Sequence, residues 1–176
     1  MDYIRNIRAI DAHSETITIK KKTPTSIKAE HGVYKNMTNN HDIPDALPKE
    51  AYDALVGNPN SVLIDVRTET EWRSIGVPAM QDANPNVHFI SWQFAPDMRV
   101  NECFLEDMKA AGIGKNAPIY FLCRSGVRSR AAATLAAAAG YGPCFNIAEG
   151  FEGVAGPDGN RHGGWQGNKL PETKPA

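Results

Sequence analysis

Within five residues of Cys123 the chain places Arg124, Ser125, Gly126 and Arg128, with Val127 between them and Ser129 following. These residue types at this spacing suit nucleophilic sulfur chemistry. The apolar run Ile119-Tyr120-Phe121-Leu122 ahead of the cysteine reads as a buried strand, and the alanine-rich stretch from Ser129 to Ala139 reads as a helix. The cysteine is thereby delivered into a tight strand-to-helix loop. Backbone N–H groups of such a loop and the positive end of the helix dipole would surround the sulfur, and Arg124 and Arg128 add positive charge, so a thiolate is favoured. Gly126 lets the backbone turn inside the ring of amides, and Ser129 stands where a hydroxyl can cap the helix. An inert apolar cysteine at a strand end is the competing reading, but two arginines, a serine and a glycine so close by are poorly explained by packing. Arg130 taken alone reads as a solvated helix residue.

The elements that must hold this loop follow from the rest of the chain. Pro48 to Leu55 looks helical with proline in the first turn, and Gly57-Asn58-Pro59-Asn60 breaks it. Val62-Leu63-Ile64, Val87-His88-Phe89-Ile90 and Cys144-Phe145-Asn146-Ile147 are further short apolar runs of strand-like composition. Helical stretches over Glu69 to Ile75 and Phe104 to Ala111 alternate with them. Such alternation predicts an α/β fold with a parallel sheet. Residues 1–42 are polar and read as an amino-terminal arm, in which Thr16-Ile17-Thr18-Ile19 alternates as an edge strand would. Residues 43–171 form the expected domain, glycine-rich after Gly150, and 172–176 a polar tail.

Composition narrows the function. The chain has 176 residues, enough for one domain with a substantial core, and 19 Lys and Arg against 20 Asp and Glu. That balance offers no electrostatic footprint for nucleic acid or an anionic membrane, and no stretch approaches a bilayer-spanning length. The default reading is a soluble cytoplasmic protein. Cys103, Cys123 and Cys144 fit neither a disulfide framework nor a CxxC pair, and the five histidines show no zinc spacing, so no metal is expected.

The Cys123 loop resembles the active-site loop of the rhodanese family, and the resemblance extends over roughly residues 45 to 171. Leu63-Ile64-Asp65-Val66-Arg67 with Glu71-Trp72 is similar to the family's early signature. Gly140-Tyr141, Asn146 and Gly150-Phe151 are similar to its late glycine-containing element, and Trp165 with Leu170-Pro171 to its ending. Two departures stand out: Glu149-Gly150 where many relatives have paired glycines, and Ile75-Gly76-Val77-Pro78 where many have a Gly-His-Ile-like sequence. The resemblance implies a three-layer sandwich with a central, mostly parallel sheet of about five strands and helices on both faces.

It also implies a sulfurtransferase. The Cys123 thiolate would take a sulfane sulfur from a donor such as thiosulfate, hold it as a persulfide and pass it to a thiol or cyanide, with ping-pong kinetics and no cofactor. Arg124, Ser125, Gly126, Val127 and Arg128 would bind the donor, the two arginines gripping its sulfonate. Ser129 would support the loop, as would Asp65 and Arg67, whose simpler reading is an ion pair holding neighbouring loops in register. Glu71 reads as a helix cap or salt-bridge partner, and Trp72, Trp92 and Trp165 as core or rim aromatics. Cys103 or Cys144 could resolve a persulfide if close to Cys123. A protein acceptor and a homodimer are compatible partners. One rival is a partner-binding module with vestigial catalysis. The other is a cysteine phosphatase, disfavoured because only four residues separate Cys123 from Arg128, a small ring for a tetrahedral phosphate.

Overall fold

The computed structural model describes residues 42–80 and 82–174; the strand expected at 16–19 lies outside them. The first half runs β1 (Asp45–Ala46), α1 (Pro48–Gly57), β2 (Val62–Asp65), α2 (Glu69–Ile75), β3 (Val77–Pro78), β4 (Val87–Phe89), β5 (Gln93–Phe94) and β6 (Arg99–Val100). The second half runs α3 (Phe104–Ala110), β7 (Ile119–Leu122), α4 (Val127–Ala138), β8 (Cys144–Ile147), β9 (Val154–Ala155), β10 (Arg161–His162), α5 (Gly164–Gly167) and β11 (Glu172–Thr173).

Five strands form one parallel sheet in the order β1-β8-β7-β2-β4. The apolar runs are continuous because both faces are covered, and their period of two sorts them. Val62, Ile64, Ile119 and Phe121 pack with Phe104 and Met108 of α3 and Ala132, Ala133 and Ala136 of α4. Leu63, Tyr120 and Leu122 face the other way, onto Ala51 and Leu55 of α1 and Trp165 of α5. Fully burying a side chain of Leu or Phe size contributes about 1.5–3 kcal/mol, so these two layers dominate the stability. The three-layer α/β sandwich expected from the resemblance is the fold.

Strand order also locates the functional end. After β2 the chain moves outward to β4, and after β7 it moves the opposite way to β8, so the carboxyl ends of β2 and β7 flank a switch point. Crevices of this kind collect ligand-binding loops in open α/β sheets. The loop after β7 carries Cys123; the loop after β2 carries Val66 and Arg67.

Two expectations need correction. The last helix of the sheet unit begins at Val127, not Ser129: Gly126, at φ 96°, occupies the capping position, and Ser129 lies in the first turn facing inward. The polar tail does not begin at 172, because Glu172 and Thr173 pair antiparallel with Pro78 and Val77. That pairing accounts for Gly76: a Cβ there, where φ is 108°, would stand 2.4 Å from the Thr173 carbonyl oxygen.

Candidate active site

Cys123 continues the alternation of Ile119 and Phe121, so its side chain turns to the α4 face, where the residue is almost fully buried. Its sulfur accepts hydrogen bonds from the Gly126 N–H and the Ser129 hydroxyl, each at 3.2 Å. The loop keeps its own carbonyls turned away from the sulfur. Cys123 O accepts the Phe151 N–H at 2.7 Å, and Arg124 O accepts the Glu152 N–H at 3.0 Å. Gly150 is what lets that segment approach, since a Cβ there would sit 2.4 Å from Cys123 O.

The Ser129 hydroxyl has one proton and two acceptors, the other being Asn146 Oδ1 at 2.6 Å. The Asn146 amide is oriented by donating Nδ2–H to Asp45 Oδ1 at 2.7 Å. Asp45 is in turn paired with Arg130, which also donates to the Ile43 carbonyl at 2.9 Å. Arg130 is therefore an anchor for the first strand and for this chain of polar groups, and not merely a solvated helix residue. With a protonated thiol the hydroxyl can give its proton to Asn146; with a thiolate it can turn to the sulfur.

A cavity of about 400 Å³ opens over the sulfur, lined by Thr68, Thr70, Glu71, Ala95, Met98, Cys123, Arg124, Ser125, Val127 and Arg128. Five of the residues expected at the site thus share one space, with Gly126 and Ser129 on the sulfur beneath it. Both loop arginines are already engaged. Arg128 forks onto Glu71, donating from Nη1 to Oε2 at 2.8 Å and from Nη2 to Oε1 at 2.6 Å. Arg124 Nε donates to Glu152 Oε2 at 3.0 Å. Glu71 fills both roles expected of it, because it also accepts the Thr68 N–H and hydroxyl as the capping box of α2. Burial works against its charge, but the hydrogen bonds from Arg128 and Thr68 outweigh that and hold the carboxyl down at about 2.

Asp65, at the end of β2, and Arg67, just after it, have wholly buried side chains. Arg67 Nη2 donates to Asp65 Oδ2 at 2.7 Å and to the Gly76 carbonyl at 2.8 Å, while the guanidinium stacks 4.0 Å from the centre of the Phe151 ring. Ser91 donates to the Arg67 carbonyl, tying in the strand beyond. The tryptophans are packed: Trp165 is buried with its indole N–H on the Pro171 carbonyl, and Trp72 and Trp92 meet Phe89 and Phe104 edge-on.

The other cysteines stand apart in character. Cys144 pairs with Ile119 at the opposite end of the sheet, four residues before Cys123, or about 13 Å along a strand. Burial pushes its thiol up to about 12. Cys103 is exposed at the start of α3. Sequence reasoning did not find Thr68, Thr70, Ala95 or Met98 as cavity walls, nor Asn146 and Glu152 as partners of the loop. The sole available signal was Thr68-x-x-Glu71, a capping-box spacing. Ala95 and Met98 belong to the turn of the β5–β6 hairpin, whose two-residue strands leave no periodicity to read.

The model of the rhodanese-like domain family matches residues 47–156. The Rickettsia conorii protein RC0915, described as uncharacterized, is 42% identical over 122 residues, spanning 69% of this chain and 90% of that one. RP600 of Rickettsia prowazekii is 39% identical over the same shares. Among solved structures, Rv0390 from M. tuberculosis superposes with a TM-score of 0.68 at 38% identity, covering 74% of this chain and 96% of that one. The polysulfide-sulfur transferase homodimer from Wolinella succinogenes shares the fold, with a TM-score of 0.53 at 21% identity over 75% and 79% of the two chains. Among the described residues, no helix is long and apolar enough to cross a membrane.

Proposed function

The chain belongs to the rhodanese-like domain family, and on that premise we propose that it is a sulfurtransferase that carries a sulfane sulfur on Cys123. The observation that carries this reading is the Cys123 sulfur at the end of the central strand, receiving an N–H and a hydroxyl at 3.2 Å under an open cavity. The Wolinella protein with the same fold is described as transferring polysulfide sulfur, which supports the class of chemistry.

The Cys123 thiolate attacks the sulfane sulfur of the donor. A bond forms between the two sulfurs, the bond from the sulfane sulfur to its carrier breaks, and the carrier departs with the electron pair. Cys123 then holds a persulfide, its outer sulfur in the cavity. An acceptor thiolate, or cyanide, attacks that outer sulfur, and the Cys123 thiolate returns as leaving group to the Gly126 N–H and the Ser129 hydroxyl. The first half-reaction consumes the thiolate that these two donors hold, and the second regenerates it in the same place. Arg128, forked onto Glu71, fixes the rim of the loop. A small thiol or a cysteine of a partner protein would serve as the acceptor.

Intact-protein mass after incubation with a sulfane donor tests the reading. Gain of about one sulfur mass, reversed by thiol and absent from Cys123→Ser, is the expected result. Absence of an adduct with thiosulfate, organic thiosulfonates and polysulfide alike would overturn it.

A further inference from the structure

The cations at the mouth of the cavity are matched one for one by carboxylates. Arg128 is forked onto Glu71, with 15% and 20% of their side chains exposed, and Arg124 Nε meets Glu152, whose side chain is 11% exposed. The remaining liners, Thr68, Thr70, Ala95, Met98, Ser125 and Val127, carry no charge. With Cys123 as a thiolate, and counting Glu152 beside the cavity, the two arginines face three negative groups among the described residues, and each arginine has a carboxylate partner. A dianion entering the cavity meets repulsion from the thiolate, and the two cations it could turn to are held by carboxylates, Arg128 through both Nη atoms and Arg124 through Nε. Met98, 39% exposed, and Val127, 76% exposed, offer apolar surface on the cavity wall, where contact with an apolar group removes both from water.

We propose that this site selects sulfur donors that carry at most one negative charge and an apolar group beside the sulfane sulfur, in preference to the dianion thiosulfate. This rests on the sulfurtransferase reading and sharpens its donor class. The two donors that isolate the difference are thiosulfate and benzenethiosulfonate. Each presents the same terminal sulfur to Cys123. Attack breaks the bond between that sulfur and the oxidised one, releasing sulfite dianion from the first and benzenesulfinate from the second. The phenyl group replaces one charged oxygen and reaches the apolar wall.

Thiocyanate formation with cyanide as acceptor gives kcat/KM for each donor, and its salt dependence gives the sign of the field each donor meets. In the wild type, kcat/KM for thiosulfate rises with ionic strength, because salt screens a repulsion. Benzenethiosulfonate is the better donor. Glu71→Gln, which keeps an oxygen for the α2 cap, frees the charge of Arg128. The ratio of thiosulfate to benzenethiosulfonate kcat/KM then rises at least about tenfold, and the rise of the thiosulfate rate with salt flattens, because two arginines now face one carboxylate and the thiolate. Glu152→Gln frees Arg124 in the same sense and leaves the α2 cap untouched, so the test survives loss of the first variant to misfolding. A thiosulfate rate that falls with salt in the wild type, or a donor ratio that neither variant moves, overturns the proposal while leaving sulfur transfer intact. Failure of both donors to put sulfur on Cys123 removes the underlying reading as well.

Discussion

The loops that follow β2 and β7 leave adjacent strands at the same edge of the sheet, yet they use charge in opposite ways. After β2, Asp65 and Arg67 neutralise each other at zero exposure, and Arg67 also donates from Nη2 to Gly76 and lies over the Phe151 face, its buried Nη1 having no hydrogen-bond partner. After β7, the thiol receives only two donors and is left open on the cavity side, while the loop arginines sit at the rim with partners from elsewhere in the chain. One loop closes on a buried ion pair, and the other is held in position with its thiol facing a cavity. Chemistry becomes available where a polar atom is fixed without being used up.

The largest test of this contrast exchanges the roles. Cys123→Ser removes sulfur loading to below detection and leaves cooperative unfolding in place, read by intact mass and thermal melting. Arg67→Met does the reverse. It strands the Asp65 carboxylate in the core and costs about 3–5 kcal/mol of stability, measured by urea unfolding, while the folded fraction still loads Cys123. Asp65→Leu with Arg67→Met recovers most of that loss, because the buried charge is gone with its partner. A mild effect of Arg67→Met alone would break the comparison.

The rim pair gives a pH signature. Glu71 is held at about 2 in the fold against 4.5 for an unperturbed glutamate, with 20% of its side chain exposed. A depressed carboxylate contributes stability that is complete above about pH 4.5 and is lost as the pH falls toward 2. The shift corresponds to roughly 3 kcal/mol at most, and less after screening at a partly exposed site. Unfolding free energy should therefore drop between pH 4.5 and 2, and Glu71→Gln should flatten that drop. An equally steep drop in the variant would assign it to other carboxylates.

The same contrast governs what the sequence discloses. The strands were legible as continuous apolar runs because both faces of this sheet are covered, and the Cys123 loop was legible because its residues are neighbours in the chain. The Asp65–Arg67 pair was legible for the same reason, being two residues apart. The partners of the active loop were not: Glu71 lies 57 residues from Arg128, Glu152 lies 28 from Arg124, and Asn146 lies 17 from Ser129. Such pairings are set by where strands end in space, and no periodicity records them. Without Glu71 and Glu152, Arg124 and Arg128 read as free cations for a sulfonate; with them, the mouth is close to neutral.

Ser129 is where a small change resolves a large distinction. Its hydroxyl is one of two donors to the sulfur, and a hydrogen bond to a charged group is worth about 1.5–3 kcal/mol, so Ser129→Ala should slow sulfur loading roughly 10- to 100-fold. Alkylation by iodoacetamide separates that loss from misfolding, because it reports each cysteine by its own chemistry. Cys103, exposed, should react in both proteins, and Cys144, with its thiol pushed up to about 12, should stay unmodified in both at pH 8. Cys123 alone should change, its modification slowing in Ser129→Ala, because the thiolate loses one of its two hydrogen-bond donors. Equal rates in the two proteins would show that the hydroxyl keeps its proton on Asn146, leaving Gly126 N–H as the one donor that matters to the sulfur.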